Sequence, residues 1–151
     1  MQLTTDDVTI PFEAIEIGDT RRVEGVRTMT EADIVNFAGV TGDFSAHHLS
    51  KESGANGKYG RRIVQGNLVL DICEAYMAGA NSKVIASYGH DNTRFIEPVF
   101  PGDTLTFERE IIDKEDHDAD TGKLTQKYTV ENQHGEVVCV DHHILLVEKR
   151  S

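Results

Sequence analysis

The chain has 151 residues, with 15 Lys and Arg against 26 Asp and Glu, a formal net charge of −11. So few and so scattered cations exclude a nucleic-acid binder, because a polyanion is held by clustered Lys and Arg that displace its counterions. A hydrophobic fraction of 38% with 27% charged residues excludes a disordered chain, and the length suits one globular domain over residues 1–151.

No apolar run reaches the roughly 18–20 residues of a membrane span, and the start, Met1 to Asp7, has neither the basic end nor the apolar run of a signal peptide. The expected location is therefore the cytoplasm, away from the membrane. Cys73 and Cys139 lie inside apolar segments and read as reduced core thiols. Repeats, low-complexity tracts and Pro-rich linkers are absent from the sequence.

In chain order, Thr20 to Met29 contains a β-friendly segment and predicts a strand. Thr30-Glu31-Ala32-Asp33 then has the form of a capping box, so a short helix follows, with Ile34, Val35, Phe37 and Ala38 as its apolar face and Gly39 as its stop. Gly42 to Gly66 is rich in glycine and polar residues and predicts irregular chain, with one helical turn after Ser50. Leu68 to Ala80 is apolar nearly all round, which predicts a buried helix entered at about Gly66.

Four β segments complete the chain: Tyr88 to Phe95, Thr104 to Ile112, Leu124 to Asn132 and Val137 to Val147. The stretches Asp116 to Gly122 and Asn132 to Gly135 carry turn residues, so consecutive strands are antiparallel neighbours. About five antiparallel strands and one wholly apolar helix predict an α+β fold in which the sheet curls round the helix.

The chemistry concentrates in the segment from Phe37 to His48, where Asp43 and His48 stand five positions apart in a Gly-bounded loop. Such a pair can hold one water, the carboxylate accepting its proton while the imidazole orients it. The same residues also suit a turn carboxylate and a satisfied surface histidine. Elsewhere, Asp116 to Asp120 lacks the glycine and closing glutamate of a calcium loop. His47, His90, His134, His142 and His143 show no zinc spacing, and His142 and His143 fall on opposite faces of one strand. A hairpin tip and a solvated strand end account for them, so no metal is expected. No glycine-rich nucleotide motif occurs, so no cofactor is implied.

The segment Thr41-Gly42-Asp43 with His48 resembles the signature of MaoC-like (R)-specific enoyl-CoA hydratases of the hotdog fold, with Ser45 and Ala46 in place of an Asn-Pro step. Arg62-Ile63-Val64-Gln65-Gly66 is similar to the family's approach to its central helix, with Gln65 where a His is usual. Phe95-Ile96-Glu97-Pro98-Val99-Phe100-Pro101-Gly102-Asp103 is similar to its Phe-x-x-Pro-Val-x-Pro-Gly-Asp strand and turn.

The resemblance implies that Asp43 activates water and His48 assists, adding hydroxyl to C3 and a proton to C2 of a trans-2-enoyl thioester, or the reverse dehydration. The developing thioester oxyanion would be met at Val64-Gln65-Gly66, where backbone amides open a helix, although Gly66 also suits a plain helix start. Lys58, Arg61 and Arg62 suit CoA phosphates or a solvated loop. The partners implied are an acyl-CoA substrate and a second copy of the chain, as a homodimer or larger homo-oligomer. Two rivals follow from the same resemblance: a hotdog thioesterase using Asp71 or Glu74 of the central helix, and a non-catalytic hotdog subunit that shapes a partner's tunnel.

Overall fold

A computed structural model describes residues 10–78 and 83–150. Five strands, β1 (Thr20–Thr28), β2 (Val84–Phe95), β3 (Thr104–Asp116), β4 (Thr121–Glu131) and β5 (Val137–Glu148), form one antiparallel sheet in the order β1-β3-β4-β5-β2. In β3, β4 and β5 burial alternates residue by residue, as a pleated strand with one covered face requires. Leu105 and Phe107 of β3, Val130 of β4 and Cys139 of β5 belong to the face packed on α4 (Gly66–Met77). This is the hotdog arrangement, a sheet wrapped on a central helix.

The main core joins Val69, Cys73 and Met77 of α4 to Phe107, Val130 and Val138, with Met29 and Ile34 closing one end. Phe107 is fully buried and stacks on Tyr76 with ring centroids 5.0 Å apart. Each such large side chain contributes about 1.5–3 kcal/mol through apolar area removed from water. A smaller cluster of Phe12, Ile15, Ile111, Leu124, Leu145 and Val147 covers the same face of the sheet toward the other end of the strands. Both cysteines are free and buried, and burial pushes both thiols up from their ordinary range.

The capping box forms as the sequence predicts. Thr30 Oγ1 accepts from Asp33 N at 3.3 Å and Asp33 Oδ2 accepts from Thr30 N at 2.8 Å, opening α1 (Glu31–Thr41). Two boundaries differ from expectation. The helix passes Gly39 and ends at Gly42, whose φ of 77° is the left-handed cap that glycine adopts at little cost. The central helix α4 stops at Met77 because Ala78 is extended, while Gly79 and Ala80 lie outside the described residues, as does the segment Met1 to Asp7.

The 42–66 segment is more regular than predicted, containing α2 (Ala46–Leu49) and α3 (Lys51–Asn56). Ser50 caps α3 by accepting from Ser53 N at 3.1 Å, which accounts for the turn expected there. Strand β2 starts at Val84 rather than Tyr88, and β3 runs on to Asp116. The early part of β2 hides its period because it is an edge strand with Val84, Ile85 and Tyr88 all exposed. Nor is α4 covered all round: Asn67, Asp71 and Ala75, four apart, form an exposed stripe. No helix among the described residues is long and apolar enough to cross a membrane.

Both hairpin turns are held by their own polar residues. Asn132 Oδ1 accepts from His134 N (2.9 Å) and Glu136 N (3.1 Å), and Asp118 Oδ1 accepts from Asp120 N (2.9 Å) and Thr121 N (2.7 Å).

Gly54 tests the packing that brings α3 against the chain leading into α4. A Cβ at Gly54 would stand 2.5 Å from Arg62 N and 2.8 Å from Arg61 C, backbone atoms that cannot step aside cheaply, whereas one at Gly39 meets nothing within 4 Å. Gly54→Ala is expected to lower stability by about 1–3 kcal/mol, the scale of overpacking, and Gly39→Ala to raise it by up to about 1 kcal/mol through helix propensity. Midpoints of urea unfolding check both signs.

Candidate active site

The approach to Asp43 is fixed by local hydrogen bonds. Thr41 Oγ1 donates back to Phe37 O (2.8 Å) and accepts from Asp43 N (3.2 Å), while Gly42 reverses the chain. Asp43 Oδ1 accepts from Ser45 N at 3.1 Å and from the Ser45 hydroxyl in a short contact. These donors hold the exposed Asp43 carboxyl below its ordinary value of 3.8, the Ser45 hydroxyl first, with His48 and His47 adding in the same direction. Its other oxygen, Oδ2, has no hydrogen bond among the described residues. Ser45 thus takes over the shaping of a turn in which the sequence has no Asn-Pro step, and Ser45 O also accepts from His48 N at 3.0 Å.

His48 is buried, at 7% exposure. Its Nδ1 lies 2.7 Å from Ile63 O. A carbonyl only accepts, so Nδ1 carries the proton and, in the neutral ring, Nε2 keeps its lone pair. Ile63 N in turn donates to His47 O at 3.2 Å, so the histidine turn and the chain entering α4 are tied in both directions. His48, Tyr59, Ile63, Val64, Gly66, Val69 and Phe95 line a cavity of about 220 Å³, with Val138 and Cys139 at its sheet side.

The entrance to α4 divides three neighbouring residues among three tasks. Val64 lines the cavity with its side chain, while its N–H donates to Val99 O at 2.8 Å. Gln65 is buried and points the other way, its Nε2 donating to Ile34 O at 3.0 Å. It makes no side-chain hydrogen bond to the first turn, so the opening amides of the helix lack a side-chain cap. Gly66 faces the cavity and the Phe95 ring, which a Cβ would approach to 2.9 Å.

The cations of this region have partners. Arg61 donates to Pro101 O at 2.7 Å and lies over the Phe100 ring, and Arg62 forms a close ion pair with Glu31. Lys58 lies 5.4 Å from the centre of the Tyr59 ring.

The helix acids stand apart from the cavity. Asp71 is on the exposed stripe of α4, and Glu74 faces the sheet, its Oε1 3.6 Å from His90 Nε2 and its Oε2 3.9 Å from His143 Nδ1. Burial holds the Glu74 carboxyl above its ordinary value.

The structure thus brings His48 and Gly66 to one cavity and leaves Asp43 on the adjoining loop, outside the lining residues but in electrostatic reach of His48. Sequence reasoning did not single out Phe95, Tyr59 or Cys139 as lining residues. Phe95 carried a signal, because it lies in the same stretch as the Pro-Val and Pro-Gly-Asp steps. The expectation of surface histidines fails for His143, which is buried at 4% exposure and stacked on His90 with centroids 4.3 Å apart.

Residues 12–134 match the family model of the MaoC like domain. The chain is 44% identical over 95 residues to Protein MaoC of Klebsiella aerogenes, an alignment covering 62% of this chain and 28% of that protein. It is 28% identical over 102 residues to a 3-hydroxybutyryl-CoA dehydratase of Methylorubrum extorquens, covering 68% of this chain and 64% of the relative. The chain therefore spans under two thirds of the length of either curated relative. Among solved structures, a monoamine oxidase regulatory protein from Archaeoglobus fulgius superposes with a TM-score of 0.87 at 37% identity, covering 95% of this chain and 97% of the other. Because the matched region takes in the Asp43–His48 turn, the entrance to α4 and most of the sheet behind it, the chain belongs to the MaoC-like domain family.

Proposed function

We propose that this chain catalyses the reversible hydration of a short trans-2-enoyl-CoA to the (R)-3-hydroxyacyl-CoA, with Asp43 and His48 sharing one water. The observation that carries this reading is the His48–Ile63 hydrogen bond, which assigns the proton to Nδ1 and leaves Nε2 as an acceptor on a ring that lines the cavity. Water has two hydrogens to donate, one to His48 Nε2 and one to Asp43 Oδ2, which turns its oxygen lone pairs toward C3.

In the hydration direction Asp43 takes a proton from the water as the oxygen bonds to C3. The π electrons move to C2, which receives that proton back from the Asp43 carboxylic acid. Charge that develops meanwhile on the thioester oxygen faces the uncapped first turn of α4 at Gly66, where the helix dipole is positive and no Cβ blocks approach. The cavity of about 220 Å³ falls below the roughly 300–1,000 Å³ of pockets for drug-sized ligands, which supports a short acyl chain with the CoA moiety outside. Lys58, Arg61 and Arg62 border the cavity residue Tyr59 and are the candidate phosphate contacts.

The relative named as a 3-hydroxybutyryl-CoA dehydratase supports the same chemistry in a four-carbon substrate. The thioesterase reading is weaker, because Asp71 is exposed and Glu74 is turned to His90 and His143, whereas Asp43, although not a lining residue, is in electrostatic reach of the lining His48. We also read the chain as one cytoplasmic domain that acts as a homodimer: the edge strand β2 leaves backbone groups unpaired and exposes Ile85 and Tyr88, which a second copy would cover.

Purified chain is expected to deplete the conjugated-enoyl absorbance of crotonyl-CoA. Asp43→Asn and His48→Gln should each lower the rate by about 100- to 10,000-fold, the scale of general acid–base catalysis, with the Asp43→Asn urea midpoint near wild type and the His48→Gln midpoint lowered by loss of the donor to Ile63 O. Failure of the wild-type chain with short, medium and branched enoyl-CoAs would remove the proposal, and activity appearing only with a second, different chain would assign it the non-catalytic role.

The pH dependence follows from Asp43. A base works only when deprotonated, and donors that hold its pKa below 3.8 keep it deprotonated at lower pH. The acid limb of kcat/KM should therefore lie below the ordinary Asp range, and Ser45→Ala, which removes the hydroxyl donor, should move that limb to higher pH. A limb that stays in place would show that Ser45 does not govern the base.

A further inference from the structure

A second group of chemically capable side chains gathers at Glu74, eight residues along α4 from Gly66, and the reaction above does not use it. His90 of β2 and His143 of β5 are directly paired across the two strands. Glu74 of α4 lies over both rings, and one ligand atom from each of the three residues falls within 4.8 Å of the others. We propose that Glu74, His90 and His143 form a binding site for a divalent transition-metal ion of the zinc class.

Hydrogen bonding around His90 motivates the assignment. Asp141 is fully buried, and its Oδ2 accepts from His90 Nδ1 at 2.8 Å while its Oδ1 accepts from Thr93 Oγ1 at 2.6 Å. With the proton on Nδ1, the neutral ring turns the Nε2 lone pair toward the Glu74 carboxylate oxygen 3.6 Å away. Two acceptors then face each other, and a positive charge between them, an added proton or a metal ion, makes the contact favourable. The carboxylate–imidazole–cation order is the one by which proteins orient metal-binding histidines.

His143 can take a matching tautomer, its neighbours being hydroxyls that donate or accept rather than a carboxylate that only accepts. Its Nε2 lies 2.7 Å from Ser87 Oγ, which can accept a ring proton, leaving Nδ1 on the side of Glu74. The Tyr128 hydroxyl now near Nδ1, at 3.2 Å, retains Gln126 Oε1 at 3.1 Å when Nδ1 turns to a metal. Two imidazole nitrogens and one carboxylate suit zinc, cobalt, nickel or copper rather than magnesium or calcium, which take all-oxygen shells. Ligand atoms around tetrahedral zinc lie about 3.3 Å apart for bonds of about 2.0–2.1 Å. The ligand atoms of the three residues lie within 4.8 Å of one another, with 3.6 and 3.9 Å to the two different oxygens of Glu74, so binding requires the stacked rings and the carboxylate to close by up to about 1.5 Å.

A metal here would fasten α4 to β2 and β5 and keep a fourth position for water. Glu74 and His90 are each partly exposed, at 27% and 34% of the side chain, which gives the ion a way in. The inference is independent of the hydratase reading, because none of these residues lines the His48 cavity.

The test uses full-length, tag-free, chelator-treated protein titrated with Zn²⁺ alone in a calorimeter, with Co²⁺ as a spectroscopic probe. One ion per chain is expected, with a rise in Tm of about 5–10 °C at a zinc concentration about 100 times Kd. His90→Gln and Glu74→Gln, both at partly exposed positions, should each lower affinity at least about 10-fold, and Asp141→Asn about 10- to 100-fold, with circular dichroism confirming that each variant folds. Co²⁺ should give visible d–d bands that both ligand variants lose. Absence of saturable binding at one ion per chain, or binding unchanged by His90→Gln and Glu74→Gln, would overturn the proposal.

Discussion

The hydrogen bond from His48 Nδ1 to the Ile63 carbonyl, 2.7 Å long, is the contact on which the site depends. It closes a loop between the turn that carries the imidazole and the strand-like segment that feeds the central helix, and it selects the ring nitrogen that remains for chemistry. The chain around Ile63 is itself a junction. Arg61 is bound to Pro101 O, Arg62 to Glu31, Ile63 to His47, and Val64 to Val99 O. Four consecutive residues therefore tie α1, the histidine turn and the Pro98–Gly102 turn to the first residue of α4. The two arginines expected at CoA phosphates are already structural members of this junction, so any phosphate they meet binds at cations oriented by other contacts.

The covered face of the sheet carries two chemically different zones. Phe107, Met77, Val69 and Val138 belong to an apolar core, of which Val69 and Val138 also line the cavity. Further along the inward positions of β4 and β5, Asp141, His143, Gln126 and Tyr128 are buried in a hydrogen-bonded group that includes Ser87, His90 and Thr93. Burying so many polar atoms is costly unless each is satisfied, and Gln126 Nε2 lacks a partner among the described residues. A fold that needed only a core would place apolar side chains at these inward positions of β4 and β5.

How much of this the sequence discloses depends on how local the cause is. The capping box at Thr30 and Asp33 is legible because three consecutive peptide units contain all of its donors and acceptors. Strands β3, β4 and β5 are legible because one face is covered and the period of two survives. Gly39 and Gly42 are indistinguishable by type, and only the φ of 77° at Gly42 separates the helix end from an ordinary helical glycine. The start of β2 is hidden because an exposed edge imposes no alternation. The Asp43–His48 turn shows in its motif, but the burial of His48 and the facing of Gly66 to Phe95 come from contacts more than ten residues away. His90 and His143, 53 positions apart, have no zinc spacing in sequence, since it is the antiparallel register of β2 on β5 that sets them side by side.

The central claim is that a carboxylate and an imidazole grip the same oxygen atom next to C3 of the acyl chain. A crystal structure of the chain with bound (R)-3-hydroxybutyryl-CoA tests it most directly. The C3 hydroxyl oxygen is expected within hydrogen-bond distance of both Asp43 and His48 Nε2, with the thioester oxygen at the opening of α4. A hydroxyl bound elsewhere, or Asp43 turned to solvent with the ligand in place, would contradict it.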